Sequence, residues 1–249
     1  MSADELCRMS ATELAAAIRA RRVSPVEVTK AVLARIERLN PRLNAYCTVT
    51  ADAALEAARA AEQTLAQGRP LGPLHGVPVS VKDTILTAGV RTTRGSKLYA
   101  NYIPAEDAPV VERLKAAGAI ILGKTNTPEF AWKGVTDNAL FGPTRNPWNL
   151  ERTPGGSSGG AAAAVAAGLG PLALGTDGGG SIRIPAAFTG IVGLKPSFGL
   201  VPAYPPSPAE SLSHVGPMAR TVQDTALLLD VLAGPDERAL RRAEVGELA

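Results

Sequence analysis

Serine and glycine occur together in two stretches of the chain, and both stretches could take part in chemistry. Residues 153–160 read TPGGSSGG, and residues 175–183 read GTDGGGSIR. Glycine lets the backbone approach a ligand closely, and a serine hydroxyl becomes a nucleophile when a base lies beside it. The residues between them predict a helix over 161–168 and a short strand over 171–174. We therefore interpret the two stretches as neighbouring loops of a hydrolytic serine site.

The second glycine stretch also offers a set of backbone donors. The N–H groups of Gly178, Gly179, Gly180 and Ser181 follow one another and could converge on one point. Such groups stabilise the negative oxygen that forms when a hydroxyl attacks a carbonyl carbon. The sequence therefore predicts an oxyanion-binding loop at these four residues.

The scarcity of histidine bears on the identity of the base. Only His75 and His214 are present, so a serine nucleophile would need another partner, and lysine is the known alternative. Lysine accepts a proton only when it is neutral, which requires burial or a neighbouring cation. Lys82, Lys124 and Lys195 are all candidates, and residue types alone do not choose among them.

Two other motifs are present, and each lacks the structural context that it needs. Residues 118–125 fit the phosphate-loop pattern, but the four variable residues are Ala, Ile, Ile and Leu, which predict a buried strand. Pro128 then stands where a helix should open. Residues 156–160 fit the nucleophile elbow of α/β-hydrolases, but residues 147–154 do not predict the strand that must precede it.

Composition excludes several classes of function. The net charge is +3 with Lys and Arg scattered along the chain, so no nucleic-acid surface is expected. Cys7 and Cys47, even with both histidines, are too few for a disulfide scaffold or a metal site, and we expect no metal and no cofactor. No signal peptide and no apolar run of about 18 residues is present, which predicts a cytoplasmic protein without a membrane span.

Helices and short apolar strands alternate along the chain. This order predicts an α/β fold with a mixed, largely parallel sheet covered by helices. Pro41 should end the second helix at Asn40, because proline disfavours helical conformation before it. The predicted helices cover residues 10–21, 24–40, 51–67, 108–117 and 221–233, and the further strands cover 77–82, 119–122 and 191–194, with an irregular segment over 202–213.

Several motifs in one register resemble the amidase signature family. They are residues 76–83, 123–131, 155–160, 175–186, 193–196 and 216–220, and the resemblance covers about residues 14–234. It implies the fold of that family and a Ser–cis-Ser–Lys triad. By motif position Ser181 is the nucleophile, Ser157 is the bridging serine with a cis peptide bond, and Lys82 is the base.

The residues around this triad have supporting roles in the same interpretation. Ser158 lies beside the bridging serine, and it could also be an ordinary cap of the alanine-rich helix. Asp177 and Arg183 are expected to form an ion pair that shapes the second loop. The implied reaction is hydrolysis of a small carboxamide through an acyl-enzyme, with a homodimer as a conceivable assembly.

Two alternatives stay open. One is the amidotransferase subunit of the same family, which feeds ammonia to misacylated tRNA and usually carries Gln where Ile184 stands. The other is a truncated, inactive remnant or interaction module, because family members are much longer. We divide the chain into a helical layer over 1–70, an amidase signature core over 71–236 and a divergent tail over 237–249, with an incomplete sheet at the C-terminal end.

Overall fold

The N-terminal part of the chain forms four helices, and serine caps explain where three of them begin. The computed structural model describes residues 1–207 and 209–239. Ser2, Ser10 and Ser24 each accept a hydrogen bond from the N–H of a glutamate three residues later, whose carboxylate accepts in return from the serine N–H. Such capping boxes satisfy N–H groups that a helix start leaves unpaired. The helices are α1 (Ala3–Arg8), α2 (Ala11–Arg19), α3 (Pro25–Leu43) and α4 (Ala51–Ala66).

Helix α3 continues through Pro41, so the prediction that it ends at Asn40 is wrong. Proline disturbs a helix least in its last turn, where few later residues depend on the missing hydrogen bond. The helix instead ends at Asn44, whose backbone is left-handed with φ 51°. The Asn40 carboxamide oxygen then accepts from the N–H groups of Ala45 and Tyr46 at 2.9 and 2.8 Å, which fixes the exit of the chain.

Six strands form one mixed sheet. They are β1 (Tyr46–Val49), β2 (Pro78–Lys82), β3 (Ile120–Thr125), β4 (Leu172–Asp177), β5 (Val192–Gly193) and β6 (His214–Ala219), in the order β1-β3-β2-β4-β6-β5. The central strands β3, β2 and β4 are parallel, and the outer pairs are antiparallel. The predicted α/β class with a mixed sheet is confirmed. Since β2 and β4 are parallel, their carboxyl ends at Lys82 and Asp177 lie at the same edge.

Helices and irregular segments complete the fold around the sheet. They include α5 (Pro109–Ala116), α6 (Gly159–Ala166), α7 (Arg183–Thr189) and α8 (Val222–Leu232), with 3-10 turns at Lys97–Tyr99, Glu129–Ala131 and Glu210–Leu212. Helix α6 begins two residues before its predicted start, and β4 continues three residues past its predicted end. The second glycine loop is therefore confined to residues 178–182.

Four elements were not predicted from the sequence, namely α1, β1, α7 and β6. Strand β6 contains Gly216 and Pro217, which weaken or interrupt most strands. It forms because it lies between β4 and β5, and the Pro217 carbonyl accepts from the Leu194 N–H at 3.1 Å. Strand β3 also runs past its predicted end at Leu122 and includes the charged Lys124, whose amine finds partners described below.

One hydrophobic cluster joins the N-terminal helices to the sheet and to α8. It includes Leu14 and Ile18 of α2, Val79 of β2, Leu174 of β4 and Leu228 of α8, all fully buried. The division into residues 1–70, 71–236 and 237–249 stays a prediction, and residues 240–249 of the predicted tail lie outside the described residues. In the described part of the chain, no helix has the length and apolar character that crossing a membrane requires.

Asp224 connects α8 to the start of α2, and its loss should destabilise the fold. Its buried carboxylate accepts from the N–H groups of Ala11 and Thr12, both at 2.9 Å, and from the Thr12 hydroxyl at 3.0 Å. We expect Asp224→Ala to lower the free energy of unfolding by about 1–3 kcal/mol, because it leaves buried donors unpaired. Urea denaturation measures this change, and Asp230→Ala on the exposed side of α8 should change stability by less than about 0.5 kcal/mol. Equal effects of the two substitutions would contradict the assignment.

Candidate active site

Lys82 ends β2 in a fully buried position, and its amine contacts three hydroxyl groups. The neighbouring strands β3 and β4 cover both edges of β2, so that all five of its residues are buried. The Lys82 Nζ lies 2.7 Å from the hydroxyl of Ser157, 2.9 Å from that of Ser158 and 2.7 Å from that of Thr176. An ammonium has three N–H donors, and these contacts use all of them.

Burial changes the acid–base behaviour of this amine. Desolvation lowers the pKa of Lys82 from 10.5 to about 7, and the negative charge of Asp177 opposes part of that shift. The cause is the cost of holding a charge away from water. A large share of the Lys82 side chains is therefore uncharged near neutral pH, with a lone pair that can take a proton from a hydroxyl.

The structure separates the three lysines among which the residue types did not choose. Lys124 is also fully buried, but it donates to the Ile85 carbonyl and, at 3.0 Å each, to the hydroxyls of Thr87 and Thr92. Lys195 donates to the carbonyl of Pro196 at 2.8 Å. Of these three lysines, Lys82 alone contacts serine hydroxyls within the described residues.

The first glycine loop presents Ser157 through a closely packed backbone. The peptide bond between Gly156 and Ser157 is cis, as the family resemblance implied. A Cβ atom on Gly156 would lie 2.6 Å from the carbonyl group of Val135, so only glycine fits there. Thr136 fixes the loop from outside, since its hydroxyl donates to the Gly155 carbonyl at 2.9 Å and accepts from the Gly159 N–H at 3.1 Å.

Ser158 holds the two loops and β4 together. Its hydroxyl donates to the Thr176 carbonyl and accepts from the Thr176 N–H, both at 3.1 Å. Its own N–H donates to the Ser181 carbonyl at 3.0 Å. Ser158 therefore acts as a bridge between backbone segments, while Ser157 makes no other contact than the one with Lys82 among the described side chains.

Asp177 shapes the second loop. Its carboxylate accepts from the N–H groups of Gly180 at 2.7 Å and Ile182 at 3.1 Å, and Arg183 donates to both carboxylate oxygens at 2.9 Å. The predicted ion pair is confirmed. Burial works to raise the pKa of Asp177, but these hydrogen bonds outweigh burial and lower it to about 2. The carboxylate is therefore charged at any pH near neutrality.

The same contact corrects one expectation for the oxyanion loop. The Gly180 N–H is occupied by Asp177 and is unavailable to an oxyanion in this geometry. The N–H groups of Gly178, Gly179 and Ser181 donate to no described residue, and Gly178 and Gly179 are exposed. Three of the four expected donors are thus free to receive a ligand oxygen.

Ser181 lies between the residues that Asp177 holds, and its side chain is half-buried. Its carbonyl joins it to Ser158, the neighbour of Ser157. Among the described residues the structure gives no hydrogen bond between the hydroxyls of Ser181 and Ser157, so contact between them requires rotation about the serine Cα–Cβ bonds. The predicted line of three touching groups is present from Lys82 to Ser157, and its last contact stays a prediction.

Two threonines belong to this site although the sequence analysis did not single them out. Thr176 is the third hydroxyl on the Lys82 amine, and Thr136 fixes the first glycine loop. Thr176 could have been noted because it directly precedes Asp177 in the second glycine motif. Thr136 lies in a stretch that the sequence presents as a loop, and nothing there signals its contacts.

These groups define a class of site before any comparison is made. A buried, partly neutral amine next to a serine hydroxyl, with free N–H groups beside a second serine, is the arrangement of serine hydrolases that use lysine as the base. No histidine takes part in it.

Comparison with known proteins identifies the family. A family model described as Amidase matches residues 27–247, and the chain belongs to the amidase signature family. A structure of a bacterial aryl acylamidase of that family is 40% identical, with a TM-score of 0.87, over 94% of this chain and 50% of the other. The peptide amidase of Stenotrophomonas maltophilia is also 40% identical, with a TM-score of 0.87, over 93% of this chain and 49% of the other.

Curated relatives with high identity carry a different name. One subunit of the glutamyl-tRNA(Gln) amidotransferase from Carboxydothermus hydrogenoformans is 54% identical over 242 residues, which are 97% of this chain and 50% of the relative. The same subunit from Acidothermus cellulolyticus is 55% identical over 94% of this chain and 46% of the relative. The chain spans about half the length of the curated relatives it matches.

The buried position of Lys82 predicts a pH dependence of stability. The pKa is about 7 in the folded chain against an ordinary 10.5, so between these values the unfolded chain binds more protons and wild-type stability rises with pH. Lys82→Met removes this dependence, while Lys124 contributes equally to both chains. We expect the stability advantage of Lys82→Met to decrease from pH 7 to pH 9 by up to about 1.4 kcal/mol per pH unit. Urea denaturation at each pH measures it, and parallel curves for the two chains would contradict the assignment.

Proposed function

We propose that this chain is an amidase that hydrolyses a carboxamide to a carboxylic acid and ammonia or an amine. The observation that carries the proposal is the contact of the buried Lys82 amine with the Ser157 hydroxyl, beside the loop that presents Ser181. Membership of the amidase signature family supports it. We assign Ser181 as the nucleophile, Ser157 as the proton relay and Lys82 as the base.

The geometry accounts for each step of acylation. Neutral Lys82 takes the proton of Ser157, and Ser157 takes that of Ser181 as the Ser181 oxygen bonds to the amide carbon. The carbonyl oxygen becomes negative in the tetrahedral intermediate, and the free N–H groups of Gly178, Gly179 and Ser181 donate to it. The C–N bond then breaks, and the leaving nitrogen receives the proton that Lys82 had stored.

Deacylation repeats the same transfers with water. Water bonds to the acyl carbon while its proton passes through Ser157 to Lys82, and the C–O bond to Ser181 breaks to release the acid. A base with a pKa near the working pH suits both directions, because it must accept a proton and then return it. The pKa of about 7 for Lys82 meets that requirement.

A location in the cytoplasm and a homodimer are further parts of the proposal. The two cysteines form no disulfide with each other in the described structure, which is the usual state in a reducing compartment. The division into a helical layer, a core and a tail belongs to the proposal as well.

Replacing the proposed nucleophile tests the reaction directly. We expect Ser181→Ala to lower the rate of ammonia or amine release from a panel of aryl and alkyl carboxamides by about 10⁴-fold or more, with Ser197→Ala as the exposed control. Because Lys82 must be neutral, wild-type kcat/KM should rise with pH and reach half its plateau near pH 7. Intact mass spectrometry should show an acyl adduct on wild type alone. Equal rates for wild type and Ser181→Ala would favour the alternative of an inactive remnant or interaction module.

A second candidate function rests on the curated relatives. Both of these relatives are amidotransferase subunits, and they match nearly the whole of this chain. Under this candidate the same serine site would release ammonia from glutamine for a tRNA-dependent partner assembly. The position of Ile184 argues for the simpler amidase. Its side chain lies within 3.1 Å of where a Cβ on Gly180 or Gly155 would stand, so an apolar group separates the two glycine loops.

Ile184 therefore offers a test that separates the two candidates. The amidotransferase subunits of the family usually carry Gln at this position, as noted above. We expect wild type to prefer uncharged aryl or alkyl amides, and Ile184→Gln to raise kcat/KM for glutamine relative to them by about 10-fold, since a polar partner is worth about 1.4 kcal/mol. Ile184→Val is the matched control and should leave the preference unchanged. A wild-type preference for glutamine would favour the amidotransferase candidate.

A further inference from the structure

A cavity of about 360 Å³ lies away from the serine site, beside the far end of α6. Ser158 precedes the first residue of α6, whereas Ala166 and Ala167 at its C-terminal end line the cavity. Eight helical residues at a rise of 1.5 Å separate the two ends by about 12 Å. Helix α3 and residues 147–150 form the other walls. The volume falls in the range of small-molecule sites, which are mostly apolar with few polar groups.

One wall of this cavity is a tryptophan held in a fixed orientation. The Trp148 side chain is 76% exposed, which is unusual for so large an apolar group. Its indole N–H nevertheless donates to the Thr189 carbonyl at 2.7 Å, and its backbone N–H donates to Asn146 Oδ1 at 3.0 Å. The ring therefore stands against solvent without freedom to fold away. A rigid aromatic face stacks on a flat ligand at little cost in conformational entropy.

The remaining apolar lining faces the same space. Leu39 and Leu43 come from α3, and Leu150 comes from the segment that carries Trp148. Leu43 is buried, whereas Leu39 and Leu150 are partly exposed toward the cavity side of the core. A ring system placed there would remove apolar surface from water on both of its faces.

Two arginines line the cavity, and one of them has no partner. Arg35 is engaged, since its Nε donates to the Ala167 carbonyl at 2.8 Å and its Nη1 donates to Asp4 at 2.5 Å. Arg42 forms no ion pair and no side-chain hydrogen bond with any described residue, and no acidic side chain lines the cavity. The guanidinium of Arg42 is a planar set of donors that suits a carboxylate, a sulfonate or a phosphate.

From this arrangement we propose that the cavity binds a small aromatic anion. Its ring stacks on Trp148 between the leucines, and its acidic group pairs with Arg42. The site is separate from the catalytic groups, so this proposal does not depend on the proposed function and can succeed or fail independently of it.

The probe is 8-anilinonaphthalene-1-sulfonate, an aromatic anion whose fluorescence responds to binding. The chain has two tryptophans, so Trp132→Phe leaves Trp148 as the only tryptophan. In that background we expect saturable energy transfer from Trp148 to the probe. Arg42→Ala should weaken the affinity about 10-fold or more, which corresponds to about 1.4 kcal/mol. Arg38→Ala, an exposed arginine on the same helix that does not line the cavity, is the matched control and should leave the affinity unchanged.

Two further measurements decide the chemical class. N-phenyl-1-naphthylamine, which lacks the sulfonate, should bind with the same affinity to wild type and to Arg42→Ala. A naphthalene carboxylate should compete with the sulfonate probe. The proposal is overturned if Arg42→Ala and Arg38→Ala bind the probe equally, if no transfer from Trp148 occurs, or if the carboxylate does not compete. Thermal unfolding of each variant shows that the exposed substitutions leave the fold intact, and Ser181→Ala should bind the probe as wild type does.

Discussion

The site depends on a lysine amine that is kept out of water. A charged amine inside a protein is costly, and the group responds by losing its proton more easily. The three hydroxyls around Lys82 offset part of that cost while it is charged, and one of them, Ser157, can donate to it when it is neutral. The same burial that makes the amine expensive to hold therefore makes it a usable base.

The strands and loops around this amine explain why it stays buried. Strand β2 is covered on both edges by parallel strands, and parallel strands are typically covered on their faces as well. Helix α6 and β4 then carry Ser157 and Thr176 to the carboxyl end of β2, where Lys82 lies. Ser158 ties these segments to one another through the Thr176 backbone and Ser181. Glycine is required at Gly156 because any side chain there would meet the Val135 backbone.

The sequence predicted the local structure well where short-range chemistry decides it. The caps at Ser10, Ser24 and Thr221 depend on residues three positions apart, and the structure contains all three. Strand β6 was missed because its Gly-Pro pair is unfavourable locally and is stabilised only by neighbours on both sides. Helix α3 passes Pro41 because an asparagine cap beyond the proline closes the helix.

For the candidate site, the limits of the sequence were different. Residue types pointed to serine and lysine, but the choice of Lys82 came from the family resemblance. The oxyanion loop was placed correctly in the chain, whereas the direction of each N–H depends on what else accepts from it. Asp177 accepts the Gly180 N–H, and that competition appears only when the carboxylate and the loop are seen together. Thr136 and Thr176 were missed for the same reason, since a hydroxyl carries no sequence signal of its partner.

Electrostatic control of the base passes through two further residues. Arg183 and the loop N–H groups hold the Asp177 carboxylate in its charged form, with a pKa of about 2. That fixed negative charge raises the pKa of Lys82 and limits the effect of burial. If Asp177 were neutral, the amine would be a weaker base and would give up its proton at a lower pH. The carboxylate that folds the second loop around Ser181 thus also sets how strongly Lys82 holds a proton, and the shape of the loop and the strength of the base cannot vary independently.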